Sequence, residues 1–216
     1  MKKIIWVFGQ SATGKKTLIN KLLKHDEKTL SELNLDCQKI SVCQNTVNDN
    51  ALIRPTTNHI LNYDDRNMQT DNEYFNQEIA KNRRNCIMSD SFNFLDDDSD
   101  ILLIKGQDND IWPGRGDIVK YFLENFANRE DVEIEVYILL VENEQIWRKR
   151  IEQKEWFQKF PDKVSAMNNM LRDRASRIHE IRVMEAFKNY NVAISFIESL
   201  EESYCFISSN KILNRR

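Results

Sequence analysis

The residues that could do chemistry in this chain are concentrated in a short segment near its start. Gly9 and Gly14 bracket four small or polar residues, and Lys15 follows at once. This Gly-x-x-x-x-Gly-Lys spacing predicts a phosphate-binding loop. The two glycines let the backbone turn sharply and close around an anion without a Cβ in the way. Backbone N–H groups at the start of a helix would then face the phosphate oxygens, and the Lys15 ammonium would reach the β- and γ-phosphates.

The residues after Lys15 depart from the usual pattern of such loops. Most of them place Ser or Thr directly after the lysine, where the hydroxyl binds Mg²⁺, whereas this chain has Lys16 and only then Thr17. A lysine cannot ligate a cation, so Mg²⁺ would be held by Thr17, by water, by the nucleotide phosphates and by a carboxylate elsewhere. The residues expected to bind ATP are Gly9, Ser11, Ala12, Thr13, Gly14, Lys15, Lys16 and Thr17.

Strand and helix patterns alternate along the chain and must position this loop. The apolar run 4–8 leads into the loop, and apolar residues at helical spacing follow it to about residue 24. Further strand patterns include 38–43, 85–90 and 100–107, and 71–81 is predicted to be helical. The alternation predicts an α/β three-layer sandwich with a mostly parallel five-stranded sheet, in a single domain covering 1–216.

Composition and charge narrow the class of protein. The chain has 216 residues, enough for one domain with a good core, and its formal net charge of −3 gives no overall basic signature. Acids outnumber bases over 44–117, and bases predominate over 145–190. The four cysteines lack metal-binding spacing, and the short apolar run 4–8 ends in the loop. We therefore expect a cytoplasmic protein with no zinc site and no membrane partner.

Three aspartates are candidates for the carboxylate of a phosphoryl transfer. Asp90 ends the predicted strand 85–90, and ligands bind where the carboxyl ends of parallel strands meet. Asp90 is therefore the first choice for binding the waters of Mg²⁺ or for taking the proton of an acceptor hydroxyl. Asp108 and Asp110, which follow the strand 100–107, are the alternatives, and the sequence does not separate the three.

Two polar loops at the same edge of the sheet supply candidate acceptor contacts. In the loop 108–117, Trp112 could stack on a base and Arg115 could pair with a phosphate. The Asn/Asp-rich loop 44–54 is explained equally well by a ligand and by ordinary turn chemistry. The candidate substrate-binding residues are Asp49, Arg54, Lys105, Asp110, Trp112 and Arg115.

Several of these features resemble known P-loop kinases. The loop, with its threonine one place later than usual, resembles that of nucleoside monophosphate kinases. The Ser-Asp pair that ends at Asp90 is similar to the end of the third strand in thymidylate-type kinases, although Ser91 stands where those kinases have arginine. That difference leaves an acceptor-binding arginine unassigned.

The basic segment after strand 132–141 resembles the lid of P-loop kinases, in which arginines close over the transferring phosphoryl group. The resemblance implies a helical lid around 145–180, with Arg148 and Arg150 as its catalytic arginines and Arg172, Arg174 and Arg177 behind them. Spaced arginines opposite an apolar stripe are also typical of a solvated helix, so this alternative stays open.

The resemblances together imply an ATP-dependent kinase that uses Mg²⁺. No Asn-Lys-x-Asp element is present, which argues against a GTPase. The Lys105-Gly106-Gln107 strand end and the loop after it resemble phage P-loop kinases that phosphorylate 5-hydroxymethyluracil in DNA during hypermodification. A DNA acceptor suits the basic segment, whereas the overall acidity argues against it. A nucleoside or deoxynucleoside monophosphate kinase and a non-catalytic nucleotide-binding regulatory module are the alternatives, and the oligomeric state, including a homodimer, is left open.

Overall fold

A computed structural model of the protein describes residues 1–43, 68–111 and 117–208. Its elements alternate between strands and helices, as the sequence pattern predicts. They are β1 (Lys2–Gly9), α1 (Lys15–Leu23), α2 (Glu27–Glu32), β2 (Ile40–Val42), α3 (Met68–Asp96), β3 (Ile101–Lys105), a 3₁₀ turn (Asp108–Asp110), α4 (Ile118–Phe126), β4 (Val132–Leu140), α5 (Glu144–Glu152), α6 (Glu155–Gln158), α7 (Lys163–Ala175), α8 (Ile178–Phe187), β5 (Ala193–Ser199) and β6 (Tyr204–Ile207).

The strands form one six-stranded sheet in the order β2-β3-β1-β4-β5-β6. The first five are parallel, and β6 runs antiparallel to β5. The expected α/β class with a mostly parallel sheet is therefore confirmed. The expected number of five strands is wrong, because the short apolar segment at Tyr204–Ile207 pairs with β5 and extends the sheet.

The central strand β1 is buried on both faces and organises two cores. On one face, Trp6 and Phe8 stack with their ring centroids 5.5 Å apart and contact aromatic residues of α4 and α8. On the other face, Ile5 and Val7 pack with apolar residues of α1. This continuous apolar run is typical of a parallel strand covered on both sides, and it holds the phosphate-loop segment at the carboxyl edge of the sheet.

The segment predicted as strand 85–90 is part of helix α3. The buried positions Arg83, Ile87, Ser91 and Phe94 recur every three or four residues, which is helical periodicity. Three apolar residues, Cys86 to Met88, are too few to distinguish a strand from a turn of helix. The prediction failed because it rested on that short run alone.

The basic segment 145–180 is helical, but it consists of several short helices. The helices α7 and α8 are separated at Arg177, whose φ of 54° lies in the left-handed region. Trp147, Ile151, Phe157 and Met167 form a small core of their own, together with Val141. Ala12 of the phosphate loop packs against this core, so the helices are attached directly to the loop.

Within the described parts of the chain, no helix is both long and apolar enough to cross a membrane.

Candidate functional site

The segment between β1 and α1 has the backbone geometry of a tight anion-binding loop. Gly9, Ala12 and Gly14 have φ values of 144°, 64° and 95°. A Cβ at Gly9 would lie 2.5 Å from Thr13 Oγ1 and 2.6 Å from the Leu139 carbonyl oxygen, so only glycine fits there. Left-handed residues of this kind are typical of the concave backbone nests that bind phosphate.

Lys15 is the first residue of α1, and its side chain folds back over the loop. Its ammonium donates hydrogen bonds to the carbonyl oxygens of Gly9 and Gln10, the latter at 3.1 Å. The residue before it, Gly14, has no side chain with which to cap α1. The positive end of the helix dipole and the Lys15 charge therefore act at the same place.

Two side chains from the later helices brace the loop. The imidazole Nε2 of His179 in α8 accepts a hydrogen bond from the Gly9 N–H at 3.1 Å. The indole Nε1–H of Trp147 in α5 donates to the Ser11 carbonyl oxygen at 3.1 Å. Both contacts are made to the loop backbone, so the loop geometry depends on helices more than a hundred residues away.

Asp108, one of the two alternatives to Asp90, lies beside the loop. One carboxylate oxygen lies 2.7 Å from His179 Nδ1, and the side chain is 70% exposed towards a cavity. Partial enclosure by the protein acts to raise the pKa of Asp108. The hydrogen bond from His179 and the charges of Lys15 and Arg182 outweigh that effect, so the pKa lies below its ordinary value.

Asp110, only two residues further on, is in a different environment. Its fully buried carboxylate forms a bidentate ion pair with Arg83, with distances of 2.6 and 2.7 Å, and accepts the Gln107 N–H at 2.9 Å. Arg83 also donates to the Lys105 carbonyl oxygen at 2.6 Å, and the Lys105 side chain is itself buried. The predicted roles of Asp110 and Lys105 as substrate contacts are not supported, because these residues hold the end of β3 against α3.

Asp90 lies on α3 and does not end a strand, so the premise for its predicted catalytic and metal-binding role is wrong. It is seven residues beyond Arg83, which corresponds to about 10 Å along the helix. Its carboxylate interacts with the Cys43 thiol, and burial together with this hydrogen bond raises the pKa of Cys43. Asp90 is therefore part of the packing between α3 and the sheet.

A cavity of about 240 Å³ opens beside the first residues of the loop. Gln10 and Ser11 form one wall, and Asp108, His179 and Arg182 provide polar groups around it. Its remaining walls are largely apolar and come from Ile111, Trp147, Ile151, Trp156, Met170 and Ile178, with Asp173 as a further polar group. The cavity thus combines apolar walls with convergent polar groups, an arrangement suited to a small ligand that has both apolar and polar parts.

A second cavity, of about 410 Å³, opens on the other side of the loop. Gly14 and Thr17 line it together with Arg150. The Arg150 guanidinium donates to Ser199 Oγ at 3.1 Å and to the Leu200 carbonyl oxygen at 2.7 Å. The predicted lid arginine Arg150 therefore lies beside the loop, and its contacts fix it to the end of β5.

The other predicted lid arginines do not face the loop in this structure. Arg148 pairs with Glu144 on the outer surface of α5 at 2.8 Å. Arg174 donates to the carbonyl oxygens of Val141 and Glu142, and Arg177 pairs with the Glu142 carboxylate at 2.6 Å. These side chains hold α7 and α8 against the end of β4. Arg172 is exposed and donates to the side-chain oxygen of Asn169 at 3.3 Å on the same helix.

The predicted ligands for Mg²⁺ are only partly compatible with the structure. In the described parts of the chain, no three His, Cys, Asp or Glu side chains are grouped to hold a metal ion. Mg²⁺ bound mainly through phosphates and water needs only one or two protein ligands. Thr17 is exposed on the first turn of α1 and lines the larger cavity, so its hydroxyl is available, whereas Asp90 is not.

Four of the predicted substrate-binding residues, Asp49, Arg54, Trp112 and Arg115, lie outside the described residues. His179, Trp147 and Arg182 are residues at the site that the sequence analysis did not single out. A signal was present, since His179, Val183 and Phe187 share one helical face, and a histidine on the buried face of α8 needs polar partners.

Neither a scan against models of known protein families nor a search of curated proteins found a match to this chain.

Proposed function

We propose that this protein is an ATP-dependent kinase that transfers the γ-phosphoryl group to a hydroxyl. The observation that supports this proposal best is the position of Lys15. Its ammonium lies over the glycine loop at the start of α1, where the N-terminal residue of the helix offers no capping side chain. A positive charge and a free helix N-terminus at one point are suited to a polyphosphate.

The two cavities that flank the loop favour transfer between two substrates over simple binding. Thr17 is on the side of the larger cavity, and the inner phosphates of a nucleotide bind nearest the helix. The base and ribose of ATP are therefore assigned to the cavity lined by Arg150 and Tyr204. The γ-phosphate would face the smaller cavity beside Asp108, where the acceptor is assigned.

Each residue at the smaller cavity then has a chemical role. Asp108 orients the acceptor hydroxyl and takes its proton, for which its exposed carboxylate and lowered pKa keep it ionised. Arg182 at this cavity and Lys15 on the loop beside it, whose charges both act on Asp108, stabilise the charge that develops on the transferring group. Mg²⁺ bound with ATP would neutralise phosphate charge, and Thr17 is the side chain suited to contact it.

The first acceptor that we propose is the hydroxymethyl group of 5-hydroxymethyluracil in DNA. The aromatic ring of Trp156 at the small cavity is suited to stack on a base. A free nucleoside or nucleoside monophosphate is the second candidate, and one observation favours it. Arg148, Lys159 and Arg177, expected to face DNA phosphates, each pair with a carboxylate of the chain.

The test is transfer of the labelled γ-phosphate of ATP, with Mg²⁺, to a panel of acceptors. The panel contains free nucleosides, nucleoside monophosphates, DNA ends and duplex DNA with hydroxymethylated pyrimidines. Label inside the modified duplex, at a rate that falls steeply with salt, would support the DNA acceptor. Label on a small acceptor, with almost no salt dependence, would support the nucleotide kinase.

Lys15→Ala is the variant that tests the site itself. Transfer should be abolished while the protein stays folded, because Lys15 is exposed enough for its removal to leave the core intact. Lys24→Ala, at an exposed position after the same helix, is the matched control and should keep full activity. Undiminished transfer by Lys15→Ala would contradict the kinase assignment. Slow release of phosphate with no labelled acceptor would favour a regulatory nucleotide-binding module.

A further inference from the structure

His179 connects the two halves of the candidate site. Its imidazole lies between the phosphate loop and Asp108, with Nε2 at 3.1 Å from the Gly9 nitrogen and Nδ1 at 2.7 Å from an Asp108 oxygen. The side chain is only 8% exposed. Both ring nitrogens are thus used by groups that belong to the site.

The hydrogen-bond chemistry determines which nitrogen carries the proton. A backbone N–H can only donate, so Nε2 must accept from Gly9 and carry no proton. The ring proton is therefore on Nδ1 and is donated to Asp108. This arrangement occupies one carboxylate oxygen and leaves the other for a ligand in the cavity. The charged groups that act on Asp108 are Lys15 of α1 and Arg182 of α8. Glu180 is the carboxyl group next to His179 in the chain.

We propose that His179 is a positioning residue, which fixes the Asp108 carboxylate towards the acceptor through Nδ1 and holds the phosphate loop through Nε2. This proposal rests on the proposed function, because the proposed function assigns the acceptor and ATP to the two sides of the loop. It predicts that the two hydrogen bonds serve different steps. The bond to Asp108 supports catalysis, whereas the bond to Gly9 supports binding of ATP.

Two substitutions separate these hydrogen bonds. In His179→Asn, the amide N–H lies near the position of Nδ1 and can still donate to Asp108, but the side chain is too short to reach Gly9. We expect the Kd and KM for ATP to rise about tenfold, with kcat changed by less than about threefold. In His179→Gln, the amide oxygen lies near the position of Nε2 and can accept from Gly9, while Asp108 loses its donor. We expect kcat to fall about 10- to 100-fold, with the Kd for ATP nearly unchanged.

The measurements are steady-state kinetics of transfer and calorimetric titration with ATP, with circular dichroism to check folding. His25→Asn changes an exposed histidine, at a φ of 52° that asparagine tolerates, and is the matched control. Opposite effects of the two His179 variants on kcat and on ATP affinity would support the proposal. Equal effects on both quantities in both variants, or no effect in either, would overturn it.

Nitrogen NMR of the wild-type imidazole tests the same contacts without any substitution. A proton on Nδ1 of His179 and a hydrogen-bonded, unprotonated Nε2 support the proposal, and a proton on Nε2 overturns it. This result also separates the two proposals. If the wild-type protein phosphorylates no acceptor, the kinase assignment fails, while the NMR spectrum and the ATP affinities of the variants still decide the role of His179.

Discussion

Replacing Asp110 by asparagine tests whether this aspartate holds the fold together instead of doing chemistry. Its side chain is completely buried and accepts two hydrogen bonds from Arg83 and one from the Gln107 N–H. Arg83 is 2% exposed and also donates to the Lys105 carbonyl oxygen. The pair therefore connects α3, the end of β3 and the 3₁₀ turn that carries Asp108.

The expected cost follows from the burial of this ion pair. Asparagine has nearly the same shape, but it removes the negative charge and leaves the Arg83 guanidinium buried without its counter-charge. Removing one partner of a buried pair costs about 3–5 kcal/mol. Because the asparagine oxygen can still accept one hydrogen bond, we expect a loss of about 3 kcal/mol, at the lower end of that range. The free energy of unfolding of a domain is usually about 5–15 kcal/mol, so a loss of this size would be easily measured.

Urea denaturation followed by circular dichroism gives the free energy of unfolding. The matched control is Asp131→Asn, since Asp131 forms the same bidentate contact with Arg129, at 2.7 and 2.9 Å, but on the surface. Exposed pairs contribute little, so this control should unfold at almost the wild-type urea concentration. A loss below about 1 kcal/mol for Asp110→Asn would show that the buried pair is not structural. Lost transfer with unchanged stability would make Asp110 the base and refute the assignment of Asp108.

Two further predictions concern the other carboxylates. Asp108→Asn should slow transfer by about a hundredfold. Its free energy of unfolding should change little, since the side chain is largely exposed. Asp90→Asn should transfer at nearly the wild-type rate, and the reverse result for the two variants would restore Asp90 as the base. Burial raises the pKa of Glu180 in the folded protein above its ordinary value of 4.5. The stability that the Glu180 carboxyl group contributes is therefore present below pH 4.5 and is lost as the pH rises through the pKa of the folded state. Glu180→Gln should therefore gain stability relative to wild type between pH 5 and pH 8 in urea unfolding, and a constant difference across that range would contradict this reasoning.

The elements of the candidate site that the sequence predicts correctly are a strand and a helix formed by residues close together in the chain. The loop from Gly9 to Lys15 lies between a strand and a helix that directly adjoin it, so the local pattern specifies both the elements and the turn between them. The strand predicted over 85–90 failed for the opposite reason. Its identity as helix is visible only over the longer interval from Arg83 to Phe94, where the buried positions repeat with helical periodicity.

The contacts that give the site its chemistry join residues far apart in the chain. His179 is 170 residues from Gly9, and Arg83 is 27 residues from Asp110. No spacing rule connects such residues, because the connection is made by packing of α8 and α3 on the same face of the sheet. A polar residue on an apolar helical face indicates a buried partner, but it does not identify that partner.

The difference between Asp108 and Asp110 arises from the turn that carries them. In a 3₁₀ turn each residue advances by about 120°, so side chains two positions apart point in directions about 120° from each other. One carboxylate therefore faces the cavity and His179, while the other faces inwards to Arg83. The Asp110 carboxylate accepts the Gln107 N–H, and this contact closes the turn and fixes the directions of the two side chains. The buried ion pair thus orients the turn, and through the turn it directs Asp108 towards the smaller cavity.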